Sequence, residues 1–220
     1  MKHRFSDWLK CVDMTLEDLQ ELGIDRKDCS RGVKALQATC RDAWECGFLR
    51  GFNGNMSVRL DAKKHYAMLV TATGVAKGHL KLKNIALANS EGKLLRGQKL
   101  SSETAMHVAT YKARKDVRCV LHVHPPALLA LSLRVPEDEL LRLPLFEAAQ
   151  WRNKMVCVRA ANPGTEDLAA AVAEGFRDEN IRAVFLREHG LCSVGATALE
   201  ALGICEQLEH LATTQVFLLS

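Results

Sequence analysis

The sequence contains no C-x-x-C pair, although it holds eight cysteines: Cys11, Cys29, Cys40, Cys46, Cys119, Cys157, Cys192 and Cys205. That scatter argues against a zinc ribbon and a thioredoxin-type redox pair, and the mostly apolar surroundings suit buried thiols in a reducing compartment. No stretch approaches the roughly 18 consecutive apolar residues of a membrane span, and "MKHRFSDWLKCVDM" at the N-terminus lacks a continuous apolar leader core. Basic clusters are scarce as well. Lys and Arg number 30 against 26 Asp and Glu, a net charge of +4. The short runs "KARK" (Lys112–Lys115) and "KGHLKLK" (Lys77–Lys83) are expected to be solvated faces rather than a nucleic-acid stripe. A cytoplasmic protein with neither a membrane nor a nucleic acid as partner is expected.

The remaining composition is that of an ordinary globular domain, with 48% hydrophobic and 25% charged residues in a chain of 220. Residues 1–30 carry a weak helical pattern at Leu16, Leu19 and Leu22, ended by Gly23, and are expected to be a helical extension preceding a domain over 31–220. From Val33, apolar residues recur at three- to four-residue spacing through Leu36, Cys40, Trp44 and Phe48, which predicts a helix with one buried stripe, ended near Gly47 and Gly51. "NMSVRL" and "YAMLVTATG" have strand character on either side of the polar "DAKKH", as in a hairpin, and "NSEGK" is a further turn. A helix is predicted from Ser102 as N-cap through "SETAMHVATYKAR", then a strand "VRCVLHVH", a helix "EDLAAAVAEGFRD", a strand "IRAVFLREHG" and a closing helix over Ala198–Leu219. The expected fold is an α/β domain with a mixed or antiparallel sheet covered by helices.

Alternation along a strand places His122 and His124 on one face and Cys119, Leu121 and Val123 on the other. Two such imidazoles can share a metal ion, and an isolated H-x-H is equally the mark of two hydrogen-bonded histidines. His189, directly after an apolar strand and before Gly190, suits a third ligand from a neighbouring strand end. Three neutral imidazoles with an open fourth position form a catalytic zinc arrangement, whereas structural sites are more often closed by cysteines. His3, His65, His79 and His210 lie in the terminal extension, in polar loops or on the closing helix. His107, four residues after Glu103 on one helix face, suits packing or support of the site rather than ligation.

Three segments would suit an anion: "GFNGNMS", "TATG" and "SSE". Their glycines allow close backbone approach, their hydroxyls can donate, and Ser101 and Ser102 precede a helix whose free amides attract negative charge. Glu103 among these donors is either a favourable first-turn charge or a base and transient metal ligand.

Taken together, "GNMS", "MLVTATG", "SSETAMHVATY", "DVRCVLHVHPP" and "FLREHGL" occur in the order seen in the class II aldolase/adducin family, which the chain resembles from about Val33 to Leu219. The resemblance implies a three-layer α/β/α fold around a mostly antiparallel sheet, assembled as a homotetramer with active sites between subunits. It implies zinc on His122, His124 and His189, an acid/base role for Glu103, and a substrate phosphate surrounded by Asn55, Ser57, Thr73, Gly74, Ser101 and Ser102. The function it implies is reversible cleavage of a phosphorylated ketose to dihydroxyacetone phosphate and an aldehyde. Two departures keep alternatives open. The family's catalytic tyrosines have no counterpart in "LPLFEAAQW" or at the C-terminus, and Glu147 stands near the acid/base carboxylate of the related dehydratases. A sugar-phosphate dehydratase is therefore the main alternative, ahead of a 4-epimerase or an adducin-like scaffold.

Overall fold

A computed structural model of the chain describes residues 5–63, 65–159 and 161–220. Eight strands form one sheet in the order β4-β3-β2-β1-β5-β8-β7-β6. They are β1 (Asn55–Asp61), β2 (Tyr66–Thr71), β3 (Ile85–Asn89), β4 (Leu94–Arg96), β5 (Cys119–Val123), β6 (Met155–Val158), β7 (Ala183–Leu186) and β8 (Gly190–Gly195). Every neighbouring pair is antiparallel except β6 and β7.

Alternation along the strands divides the core in two. Met56, Leu69, Leu87, Leu121 and Phe185 pack on one face against α1 (Phe5–Cys11), α2 (Leu16–Leu22), α3 (Arg26–Glu45), α5 (Pro126–Arg134) and α8 (Ala198–Leu218). Met68, Val70, Val120, Val184 and Cys192 pack on the other against α4 (Thr104–Ala113) and α7 (Glu166–Gly175). The expected three-layer architecture is therefore observed. A short helix, α6 (Phe146–Arg152), leads into β6.

Several boundaries differ from expectation for local reasons. The first long helix begins at Arg26 because the Asp25 carboxylate accepts the Asp28 N–H, and it ends before Gly47, whose φ is +84°. Residues 5–22 are packed into the same core: Trp8 is fully buried and donates its indole N–H to the Ile85 carbonyl at 3.0 Å. The helix expected to start at Ser102 starts at Thr104. Glu103 occupies the cap position without a side-chain cap, while Ser102 is exposed in the preceding turn. "IRAVFLREHG" is not one strand; it ends at Leu186, and the chain turns through Arg187–His189 into β8, with Leu186 opposite Gly190. No helix among the described residues is long and apolar enough to cross a membrane.

Candidate metal centre

The centre lies where β5 ends beside β1 and β8. Asn55 pairs with His122 across β1 and β5, and His122 pairs with Cys192 across β5 and β8. His124 lies one residue beyond β5, held by its N–H donating to the Phe48 carbonyl at 3.0 Å. His189 arrives from the β7–β8 turn. Two glycines permit this close packing. A Cβ at Gly54 would lie 2.6 Å from the His122 carbonyl oxygen, and one at Gly190 would lie 2.5 Å from that of Val123 and 3.0 Å from His122 Cε1. Neither site tolerates a side chain without backbone movement.

The three sequence-identified histidines converge. One ligand atom from each lies within 4.8 Å of the others, and the ring centroids are 4.8 to 5.5 Å apart. His122 is fully buried, and its Nδ1–H donates to the Leu191 carbonyl at 3.2 Å, which leaves Nε2 as the lone-pair nitrogen. That Nε2 is 3.2 Å from His124 Nε2, close to the separation of about 3.3 Å for two nitrogens sharing a tetrahedral ion at zinc–imidazole bond lengths. Burial, reinforced by the neighbouring imidazoles, pushes the His122 pKa well down, and burial together with His189 and Lys77 pushes His124 down to about 4. Neutral rings are the ligating form.

Glu103 faces the same point. Its Oε2 is 3.4 Å from His122 Nε2 and its Oε1 is 3.3 Å from His189 Nε2, while Oε1 and His189 Nδ1 are buried without a hydrogen-bond partner. A carboxylate facing the His122 Nε2 lone pair is electrostatically unfavourable by itself, and a divalent cation between them relieves that repulsion. The residues fit a metal.

The other sequence-identified residues divide. Asn55 donates its Nδ2–H to Glu103 Oε2 at 2.7 Å. The three anion-type segments come together: Met56 N–H donates to Thr71 Oγ1 at 3.2 Å, Ala72 bridges Leu100, and Thr73 N–H donates to the Lys99 carbonyl at 3.1 Å. Thr73, Gly74 and Ser102 are exposed there, and Ser101 is nearly buried, with its hydroxyl accepting the Glu103 N–H. Ser57 departs from the expected phosphate-facing role. It is fully buried, and its hydroxyl is engaged with His107 Nδ1 at 2.7 Å and Tyr111 OH at 2.8 Å, so it has no face for a ligand. Glu147 is exposed in the first turn of α6, and no described hydrogen bond or ion pair joins it to the histidines. His65 and His210 are exposed, His79 packs against Trp44 with the rings tilted by 54°, and His3 lies outside the described residues.

Lys77 corrects the expectation of a solvated face. Its side chain is buried, with the ammonium donating to the Phe52 carbonyl at 2.8 Å, and burial pulls its pKa down against the opposing pull of Cys40 and Glu103. It ties the loop before β1 to the segment after "TATG". A cleft of about 540 Å³ opens beside His189, lined by Asn162, Pro163, Thr165, Asp167 and Glu188.

Comparison with known proteins gives concordant similarities. A family model, class II aldolase and adducin N-terminal domain, matches residues 34–216. The chain is 32% identical over 174 residues to a 3-oxo-tetronate 4-phosphate decarboxylase of Haemophilus influenzae, spanning 78% of this chain and 80% of that protein. It is 30% identical over 182 residues to an L-fuculose phosphate aldolase of the same organism, spanning 83% and 81%. The crystal structure of L-fuculose-1-phosphate aldolase from Thermus thermophilus matches with a TM-score of 0.70 at 28% identity, over 86% of this chain and 94% of that one.

Proposed function

The chain belongs to the class II aldolase and adducin family, and from that premise we propose that it is a zinc-dependent lyase reversibly cleaving a phosphorylated ketose to dihydroxyacetone phosphate and an aldehyde. The observation that carries this reading is the convergence of His122, His124 and His189 on the point faced by the Glu103 carboxylate, next to three joined anion-type segments. Bound there, the ion would supply Lewis acidity for the charge that develops when the carbon–carbon bond breaks.

The chain's own groups do the rest. The exposed Thr73, Gly74 and Ser102, with Ser101 beside them, hold the phosphate, and buried Lys77 adds positive charge to the same wall. Glu103 exchanges a proton with the carbon that loses its partner, and Asn55 keeps that carboxylate aimed. Assembly as a homotetramer belongs to the same proposal. Phe146, 97% exposed on α6 beside Glu147, is surface that such an assembly would cover.

A second reading has a specific observation in its favour. The chain's two tyrosines, Tyr66 and Tyr111, are both buried. Neither is available to exchange a proton with the oxygen of a departing aldehyde. Loss of carbon dioxide from a phosphorylated 3-keto acid leaves the same three-carbon fragment without needing that exchange, and one similar protein is named for such a decarboxylation. Dehydration would require Glu147, which the described contacts leave apart from the histidines.

The test is a product assay on the zinc-loaded chain with a panel of phosphorylated ketoses and keto acids, measuring dihydroxyacetone phosphate with aldehyde, carbon dioxide or water loss. Dihydroxyacetone phosphate appearing with aldehyde supports the proposal, and with carbon dioxide the second reading. A dehydrated ketone without dihydroxyacetone phosphate overturns both.

A further inference from the structure

Behind Glu103 runs a line of polar side chains that reaches no solvent. Tyr111, Ser57 and His107 are fully buried, Asn55 is 3% exposed and Glu103 6%. Their separations are 2.8 Å from Tyr111 OH to Ser57 Oγ, 2.7 Å to His107 Nδ1, 2.5 Å from His107 Nε2 to Asn55 Oδ1, and 2.7 Å from Asn55 Nδ2 to Glu103 Oε2.

The direction of every bond follows from its last member. A carboxylate only accepts, so Asn55 presents its NH₂ to Glu103 and its oxygen to His107. His107 Nε2 must then carry the proton. Burial pushes the His107 pKa down to about 3, so the ring is neutral and Nδ1 holds a lone pair. Ser57 therefore donates to Nδ1, and its oxygen accepts from Tyr111. The Tyr111 hydroxyl also lies 3.4 Å from the Arg118 carbonyl, a longer approach than its 2.8 Å to Ser57 Oγ, and from Ser57 to Glu103 no member reverses without breaking its neighbours.

This arrangement does more than satisfy buried groups, because Glu103 is held by so little else. Apart from the imidazole nitrogens it faces, the carboxylate has one hydrogen-bond donor among the described residues, Asn55 Nδ2, and Oε1 has none. An amide that turned over would set its oxygen against the carboxylate. We propose that His107 is a positioning residue: with its Nε2–H tautomer fixed by Ser57 and Tyr111, it holds the Asn55 amide in the one orientation that aims Glu103 at the three imidazoles. The proposal rests on the reading of Glu103 as the proton-exchanging group.

Imidazole nitrogen NMR on the ¹⁵N-labelled chain without zinc tests the first half. His107 is expected to show a protonated Nε2 and an unprotonated Nδ1 at pH 7, and a mixture of tautomers in Ser57→Ala; an Nδ1–H tautomer in the parent chain overturns the proposal. Kinetics of the zinc-loaded chain test the second half. His107→Phe keeps a ring without donors and is expected to lower kcat about 10- to 100-fold, with KM and zinc affinity within about twofold of the parent, and His107→Gln, which restores a donor toward Asn55, recovers part of kcat. Unchanged kcat in His107→Phe, or a loss in KM and zinc affinity of the same size as in kcat, overturns it. If no phosphorylated substrate is cleaved at all, the reading of the reaction fails, while the orientation of the array still stands or falls on the tautomer. Should His107→Phe not fold, the tautomer and His107→Gln decide.

Discussion

Glu103 Oε2 lies 3.4 Å from His122 Nε2, so the carboxylate proposed to exchange the proton and a nitrogen of the candidate metal centre face one point from opposite elements, the turn before α4 and the end of β5. Glu103→Gln keeps the shape and removes the exchangeable proton. It is expected to retain three-imidazole zinc binding while kcat/KM falls about 10²- to 10⁴-fold. Zinc titration beside steady-state kinetics checks this.

Gly190→Ala places a methyl 2.5 Å from the Val123 carbonyl oxygen and 3.1 Å from His124 Cδ2. The backbone must yield where two of the candidate metal ligands sit. We expect a stability loss of about 1–3 kcal/mol and zinc affinity about tenfold weaker, measured by denaturant unfolding and competitive chelation.

Lys77→Met keeps the length of the side chain and removes its charge. With the ammonium gone from the Phe52 carbonyl, KM for the phosphorylated substrate is expected to rise about tenfold with zinc affinity unchanged. Equal KM in both chains would remove Lys77 from the anion wall.

Acid should destabilise the zinc-free chain through His107. Its folded pKa is pushed down to about 3 by burial, below the unfolded value of about 6.5. Between these values the unfolded chain binds the proton and the folded chain does not. The contribution is therefore fully present above about pH 6.5 and is lost as pH falls toward 3, at up to about 1.4 kcal/mol per pH unit. Urea unfolding across pH 4–7 should show a shallower slope in His107→Gln than in the parent.

Much of this was legible in the sequence because it rests on periodicity. The β1–β2 hairpin, β5 and α8 follow from alternation or helical spacing, His122 and His124 from alternation along one strand, and His189 from its place after an apolar strand. β3 was not, because "IALAN" is a short apolar run whose first four residues are all buried, leaving no alternation to detect. The charge pattern of "KGHLKLK" implies a solvated Lys77, and only the fold shows its ammonium buried against the Phe52 carbonyl. Motif order implies a phosphate-facing Ser57, whereas strand alternation turns it toward α4, where His107 and Tyr111 take up its hydroxyl. The line from Tyr111 to Glu103 joins residues up to 54 apart in sequence, a relationship no local pattern carries.

Zinc-dependent cleavage is decided by dihydroxyacetone phosphate release from phosphorylated ketoses by the chain as purified, after chelation, and after zinc is returned. Release with a matching aldehyde is expected, with loss of both on chelation, recovery with zinc in the parent chain, and no recovery in His189→Ala. Full release after chelation, or recovery in His189→Ala equal to the parent, would contradict this expectation.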